Sequence, residues 1–250
     1  MTEETHEKLK AIKQSFRSMM NGPVSQSMRE KGSDYKINWG VALPLLQKMA
    51  AEYGYDYDLA INLWKENIRE CKILATMIMP PEQMLPEVVD VWMEQTHTQE
   101  MAEIAASKLY QYLPFASVMA YEWIATDKVY YQIAAYNILG RLFARGMAPN
   151  ELGINEFLDQ VAVALQDDNI GVRHAAYNCL TRFEDLGDDY ALLAQRPCVH
   201  KGFISETKIL KGLTGWADAC SAVHLHLASV IKQQNQHRRL SFSLIYTLFI

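Results

Sequence analysis

The chain has 250 residues, half of them apolar and 21% charged, with a formal net charge of −5. This composition supports a sizeable core and excludes wholesale disorder. The charge is uneven: residues 196–250 carry seven Lys or Arg against two acids, whereas residues 1–195 carry 17 against 27, an acidic body that argues against duplex-DNA binding by bulk charge.

The N-terminus, MTEETHEKLK, is polar and acidic and lacks the apolar stretch of a signal peptide, so a cytoplasmic protein is expected. The longest apolar run, 242–250, is far short of the roughly 20 residues that span a bilayer, and no membrane association is expected. Cys71, Cys179, Cys198 and Cys220 lie far apart with no CxxC, which predicts scattered buried thiols rather than a disulfide framework or a zinc ribbon.

Apolar residues recur at helical spacing along most of the chain. The pattern predicts helices over 41–53, closed by Gly54, then 58–65 and 67–79, stopped by Pro80–Pro81. Helices over 82–95, 98–113, 117–125 and 127–145 follow, with Pro114, Gly146 and Pro149 as breakers. The last two are 151–166 and 169–184, the latter capped by Asp168 or Asn169. Residues 134–143 read AAYNILGRLF and residues 175–184 read AAYNCLTRFE: six of the ten positions match in place, at an offset of 41. Paired helices repeating every ~30–45 residues are the signature of HEAT and armadillo arrays. The expected fold class is an all-α, HEAT-like or armadillo-type α-solenoid of stacked antiparallel helix pairs. The expected domains are 1–195, the repeat array, and 196–250, an atypical basic segment. That segment contains a possible helix over 217–236 and ends apolar. Capping the array, dimerisation and an altered terminus all remain open for it.

Compact catalytic signatures are absent: there is no GxGxxG, P-loop, GxSxG or HExxH. His224 and His226 form an HxH, but helical residues two apart point about 200° from each other and would not share a metal. Neither a metal nor an organic cofactor is implied. Polar helix faces remain. On 169–184 the apolar stripe of Ala176, Cys179, Leu180 and Phe183 leaves His174, Tyr177, Asn178 and Thr181 near the opposite face, flanked by Arg173 and Arg182. The preceding repeat puts Gln132, Asn137 and Arg141 at equivalent places, and Arg69 and Lys72 are i,i+3 neighbours further back. Lined along one concave wall, with Lys108, these residues would form a track able to hold phosphates. The plainer alternative is a solvated helix face.

Several segments resemble the DNA alkylation repair family, the AlkD-type HEAT-like repeat glycosylases. They include FRSMMNG near the N-terminus, YKINWGVALPLLQKMA (35–50), LWKENIRECKILATMI (63–78), VDVWMEQTHTQEMAEIAASKL (89–109), and the stretch from Trp123 through 143. The likeness covers roughly residues 10–190. It implies a concave face that binds duplex DNA carrying a cationic N3- or N7-alkylated purine. There a carboxylate stabilises the positive charge that develops on the sugar as the N-glycosidic bond breaks. Two Trp flank that carboxylate, and an Arg holds the backbone. Carried onto this sequence, Glu103 stands at the carboxylate position, one methylene longer, and is the catalytic candidate. Gln99 stands at the first Trp, Asn178 at the second, and Gln132 at the Arg. A Gln supplies no aromatic face. Trp123 and Trp64 either touch DNA or pack between repeats. The expected function is therefore a monomeric DNA alkylation repair-like protein, either an N-glycosylase or a relative with altered activity. The alternative is a non-catalytic HEAT scaffold with a protein or nucleic-acid partner in its groove.

Overall fold

In the computed structural model, residues 2–33 and 35–199 are described. They form twelve α-helices and two short 3-10 turns, with a single isolated bridge between Ile37 and Ile68 as the β-type pairing among the described residues. The chain divides into two compact units at Ala116/Ser117. The possible helix over 217–236 and the HxH pair lie outside the described residues.

The first unit contains α1 (Glu3–Ser18), α2 (Gly22–Glu30), α3 (Leu43–Tyr53), α4 (Tyr57–Lys65), α5 (Arg69–Ile78), α6 (Pro86–Glu94) and α7 (Gln99–Lys108). Local chemistry sets most boundaries. Thr2, Asn21, Asp56 and Thr98 each cap the helix that follows, their side-chain oxygens accepting a backbone N–H of the first turn. Gly54, at φ 68°, closes α3 in the left-handed region that a residue with a Cβ resists. The helices predicted over 82–95 and 98–113 are shorter than the apolar pattern suggested. A 3-10 turn at Pro81–Gln83 and Pro86 at the first position of α6 split one, and a 3-10 turn at Tyr110–Tyr112 ends the other.

The α4–α5 hairpin stacks on the α6–α7 hairpin. Trp64 and Trp92 lie face to face with ring centroids 4.1 Å apart and planes 1° from parallel. The Trp64 indole N–H donates to Gln95 Oε1 at 2.9 Å, so its one polar atom is satisfied as the ring is buried.

The second unit contains α8 (Ala116–Ile124), α9 (Val129–Ala144), α10 (Glu151–Ala164), α11 (Ile170–Glu184) and α12 (Asp188–Val199). Asn169 is the cap of α11, its Oδ1 accepting from the N–H groups of Gly171 and Val172. The expected stripe on α11 is buried: Ala176, Cys179, Leu180 and Phe183 are at most 1% exposed. Phe143, Phe157 and Phe183, one each from α9, α10 and α11, meet with centroids 5.1–5.5 Å apart. Each buried Phe contributes about 1.5–3 kcal/mol relative to exposure, so this cluster holds the three helices together. The Tyr121 hydroxyl donates to the Gly153 carbonyl at 2.9 Å and ties α8 to α10.

Candidate nucleic-acid interface

In the first unit the expected site residues lie on α5 and α7. Thr98 Oγ1 accepts from the Met101 N–H at 3.2 Å and shares a 2.8 Å hydrogen bond with the Tyr35 hydroxyl. This cap is why α7 begins at Gln99. One turn on, Gln99 Nε2 donates to Glu103 Oε1 at 2.7 Å across an i,i+4 step. The catalytic candidate is thus a half-buried carboxylate held by an amide on its own helix. Where an aromatic face was to flank it, there is a hydrogen-bond donor.

Arg69 and Lys72 depart from the expected exposed track. Arg69 is 3% exposed and all three nitrogens of its guanidinium are engaged. Nε and Nη2 donate to the two oxygens of Glu100 at 2.8 and 2.6 Å, and Nη1 donates to Glu70 at 3.1 Å and to the Val41 carbonyl at 3.2 Å. Burial opposes its charge, but Glu100 and Glu70 outweigh that cost and hold it firmly protonated. Glu70, fully buried, also accepts from the Trp39 and Val41 N–H groups at 3.2 Å. Arg69 is therefore a clamp between α5, α7 and the 35–41 loop. Lys72 is 7% exposed, with Nζ 4.3 Å over the Trp64 ring, and burial lowers its pKa. Its stem packs in the hairpin stack, where a phosphate cannot reach its full length.

Gly40 makes the same loop possible. It sits at φ 69°, and a Cβ there would collide with the Asn21 carbonyl and lie 2.8 Å from the Ser25 N–H. The 35–50 segment therefore requires Gly at this point.

In the second unit, Trp123 is 5% exposed and packs edge-to-face on Tyr131 at 5.2 Å, which favours packing over the DNA contact as its role. Gln132 and Arg173 spend donors on their own chain. Gln132 Nε2 donates to the Thr126 carbonyl at 2.8 Å, and Arg173 Nη1 donates to the Asp167 carbonyl at 2.5 Å. Both serve the turns that lead into their helices.

The remaining three candidates come together. Arg141, Asn178 and Arg182 line one cleft of about 370 Å³ between α9 and α11, with Asn137 beside them. All three are exposed. Arg141 makes no ion pair among the described residues. Arg182 pairs with Asp185 at 3.2 Å, but both side chains are 58% exposed, and such pairs contribute about 0–1 kcal/mol. The buried part of the cleft is formed by Tyr136 and Cys179. Burial pushes both groups well above their ordinary pKa, so both keep their protons at neutral pH. The Tyr136 hydroxyl is buried without a hydrogen-bond partner among the described residues. Gly140 brings the helices close, since a Cβ there would lie 3.4 Å from the Cys179 Cα.

Sequence reasoning did not select Tyr136, Cys179 or Gly140, although the signal was in the repeat. AAYN places Tyr136 and Asn137 on the helix that faces the second copy, and Arg141 and Arg182 recur at the same offset. It gave no role to Glu70 or Glu100.

The profile of the DNA alkylation repair enzyme family matches residues 12–181. The chain belongs to the DNA alkylation repair enzyme family. A solved structure similar to it is described as one of "a new family of proteins related to the HEAT-like repeat DNA glycosylases with affinity for branched DNA structures". The similarity has a TM-score of 0.67 and 17% identity and covers 76% of this chain and 83% of that one. At that identity the likeness shows the HEAT-like repeat fold. Comparison with curated protein sequences returns no significant match. This alkylation repair family member thus has a HEAT-like repeat fold, all-helical among its described residues. Among its described residues no helix is long and apolar enough to cross a membrane, and no cluster of three His, Cys, Asp or Glu side chains is placed to hold a metal ion.

Proposed function

We propose that this protein binds DNA, with a preference for branched over plain duplex DNA, and does not excise alkylated purines. One observation carries the binding: Arg141 and Arg182, from equivalent positions of two repeats, are exposed on a single cleft with Asn178. Guanidinium pairs of this kind suit phosphate oxygens. The branched-DNA preference extends to this chain what is said of the structure similar to it.

The absence of excision rests on the residue types that stand where the family resemblance implies Trp. Gln99, the hydrogen-bond partner of Glu103, offers an amide where stacking on the lesion nucleotide would need a ring, and Asn178, at the position of the second Trp, is likewise an amide. The described tryptophans Trp64, Trp92 and Trp123 are buried, and Trp39 is half-buried. A carboxylate without an aromatic platform lacks the means to hold a cationic base in line with it.

Binding of a labelled three-way junction and a blunt duplex across a salt series tests the reading. Each phosphate contact contributes roughly 0.9 to the slope of log affinity against log salt. Arg141→Ala and Arg182→Ala should each flatten the slope by about one. A second reading, a protein-binding scaffold, is favoured by the 27 acids against 17 bases in residues 1–195. Salt-insensitive or absent DNA binding would select it.

A further inference from the structure

We propose that the side of α11 turned away from α9 is an interaction surface, and that its occupant is the chain's own segment 200–250. This surface does not depend on DNA binding. The internal repeat defines it, since residues 134–143 and 175–184 hold equivalent places on α9 and α11. Tyr136 of α9 is 1% exposed and lies against α11, where Ala175, Asn178 and Cys179 line the same cleft. Tyr177 is its equivalent on α11, 41 residues on. The repeat turns Tyr177 toward the place a further helix would fill, and it is 39% exposed. Ile170, two turns earlier on the same stripe, is 72% exposed. The stripe continues through half-buried Thr181 to exposed Asp185. These two stand where α9 has Gly140 and Ala144. Gly140 admits α11 so closely that a Cβ there would lie 3.4 Å from the Cys179 Cα. Thr181 and Asp185 hold an occupant further off and offer it a hydroxyl and a carboxylate.

Position, chain length and charge name the occupant. α12 packs on α10 and α11, with Phe183 and Tyr190 edge to face at 5.2 Å, so it takes the place of the first helix of a further pair. In a stacked array the remainder of such a pair lies beside the preceding second helix, here α11. A HEAT pair occupies ~30–45 residues, and residues 200–250 follow directly on α12, chain enough to reach back over α11. Asp185, Asp188 and Asp189 are exposed where α11 passes into α12. Segment 200–250 brings Lys201, Lys208, Lys211, Lys232, Arg238 and Arg239 against only Glu206 and Asp218. A terminal repeat that stays uncovered needs a polar outer face. Ile170 and Tyr177 deny α11 such a face, and an apolar, basic segment matches both them and the three carboxylates.

Three measurements on the full chain test the assignment. The first is nitration of wild type by tetranitromethane, mapped by peptide mass. Tyr177 should react at the slow rate of buried Tyr136, not at the rate of exposed Tyr55. A rate near that of Tyr55 would overturn the covered surface. The second is carbodiimide cross-linking of an equimolar mixture of nitrogen-14 and nitrogen-15 chains. The expected products join Asp185, Asp188 or Asp189 to Lys208, Lys211 or Lys232 within one isotopic label. Products of mixed label would make a second copy the occupant and overturn the assignment, as would the absence of any such product. The third compares Ile170→Lys with Leu152→Lys, a like change at an exposed residue in the first turn of α10. On a solvated face the two should be equally mild. A covered Ile170 should lower the thermal midpoint by about 3 °C more than Leu152→Lys does. Equal shifts would overturn the proposal.

Discussion

Arg69 grips Glu100 with two parallel hydrogen bonds, Nε to Oε2 at 2.8 Å and Nη2 to Oε1 at 2.6 Å. The pair joins α5 to the first turn of α7, the turn that carries Gln99 and Glu103. Its third nitrogen reaches the fully buried Glu70. An arginine expected on the surface as a phosphate ligand is therefore the internal brace of the first unit.

Removing the brace should be expensive. Arg69→Met leaves Glu70 buried without its cation, and breaking a buried pair costs about 3–5 kcal/mol. Arg69→Lys should recover little of this, because an ammonium cannot make the parallel pair. Denaturant unfolding of the two variants beside wild type measures both. DNA affinity of the fraction that remains folded should not change.

Alkaline pH should weaken the same region through Tyr35. Burial chiefly, with the negative charge of Glu100 adding to it, raises this phenol from 10.0 to about 12, against the opposing hydrogen bond with Thr98. Below pH 10 both folded and unfolded chains hold the proton. Between pH 10 and about 12 the unfolded chain releases it and the folded chain keeps it, so stability falls as pH rises. Tyr35→Phe should lose the Thr98 contact at neutral pH yet show a flatter decline over that window. Unfolding free energies measured from pH 8.5 upward give the comparison.

Gly40→Ala should fail for two separate reasons. The left-handed backbone at φ 69° costs a residue with a Cβ about 1–2 kcal/mol, and the new methyl collides with the Asn21 carbonyl at the start of α2. A fall in thermal midpoint larger than that of Gly32→Ala, where φ is also positive but no atom lies within 4 Å, separates collision from backbone strain.

Much of the fold was legible because helical periodicity is a local property. The stripe of Ala176, Cys179, Leu180 and Phe183, the stop at Gly54 and the Asn169 cap all follow from residues a few positions apart. The duplicated AAYN segments showed that the array repeats. What periodicity overstated was helix length around Pro81–Gln83 and Tyr110–Tyr112, where 3-10 turns replace the last or first helical turn. The site was less legible, because exposure depends on neighbours remote in sequence. Arg69 and Arg141 look alike on a helical wheel. Glu100, thirty-one residues away, buries the first, and no described acid claims the second. Tyr136 and Tyr177 occupy the same position in two copies of the repeat, yet one is 1% and the other 39% exposed.

Incubation with methylated duplex DNA, beside junction binding, tests the proposed function most directly. Binding without release of 7-methylguanine or 3-methyladenine is the expected result, with Glu103→Gln indistinguishable from wild type in junction affinity. Release of either base that Glu103→Gln abolishes would contradict it, and would make Glu103 a working catalytic carboxylate beside an amide rather than a ring.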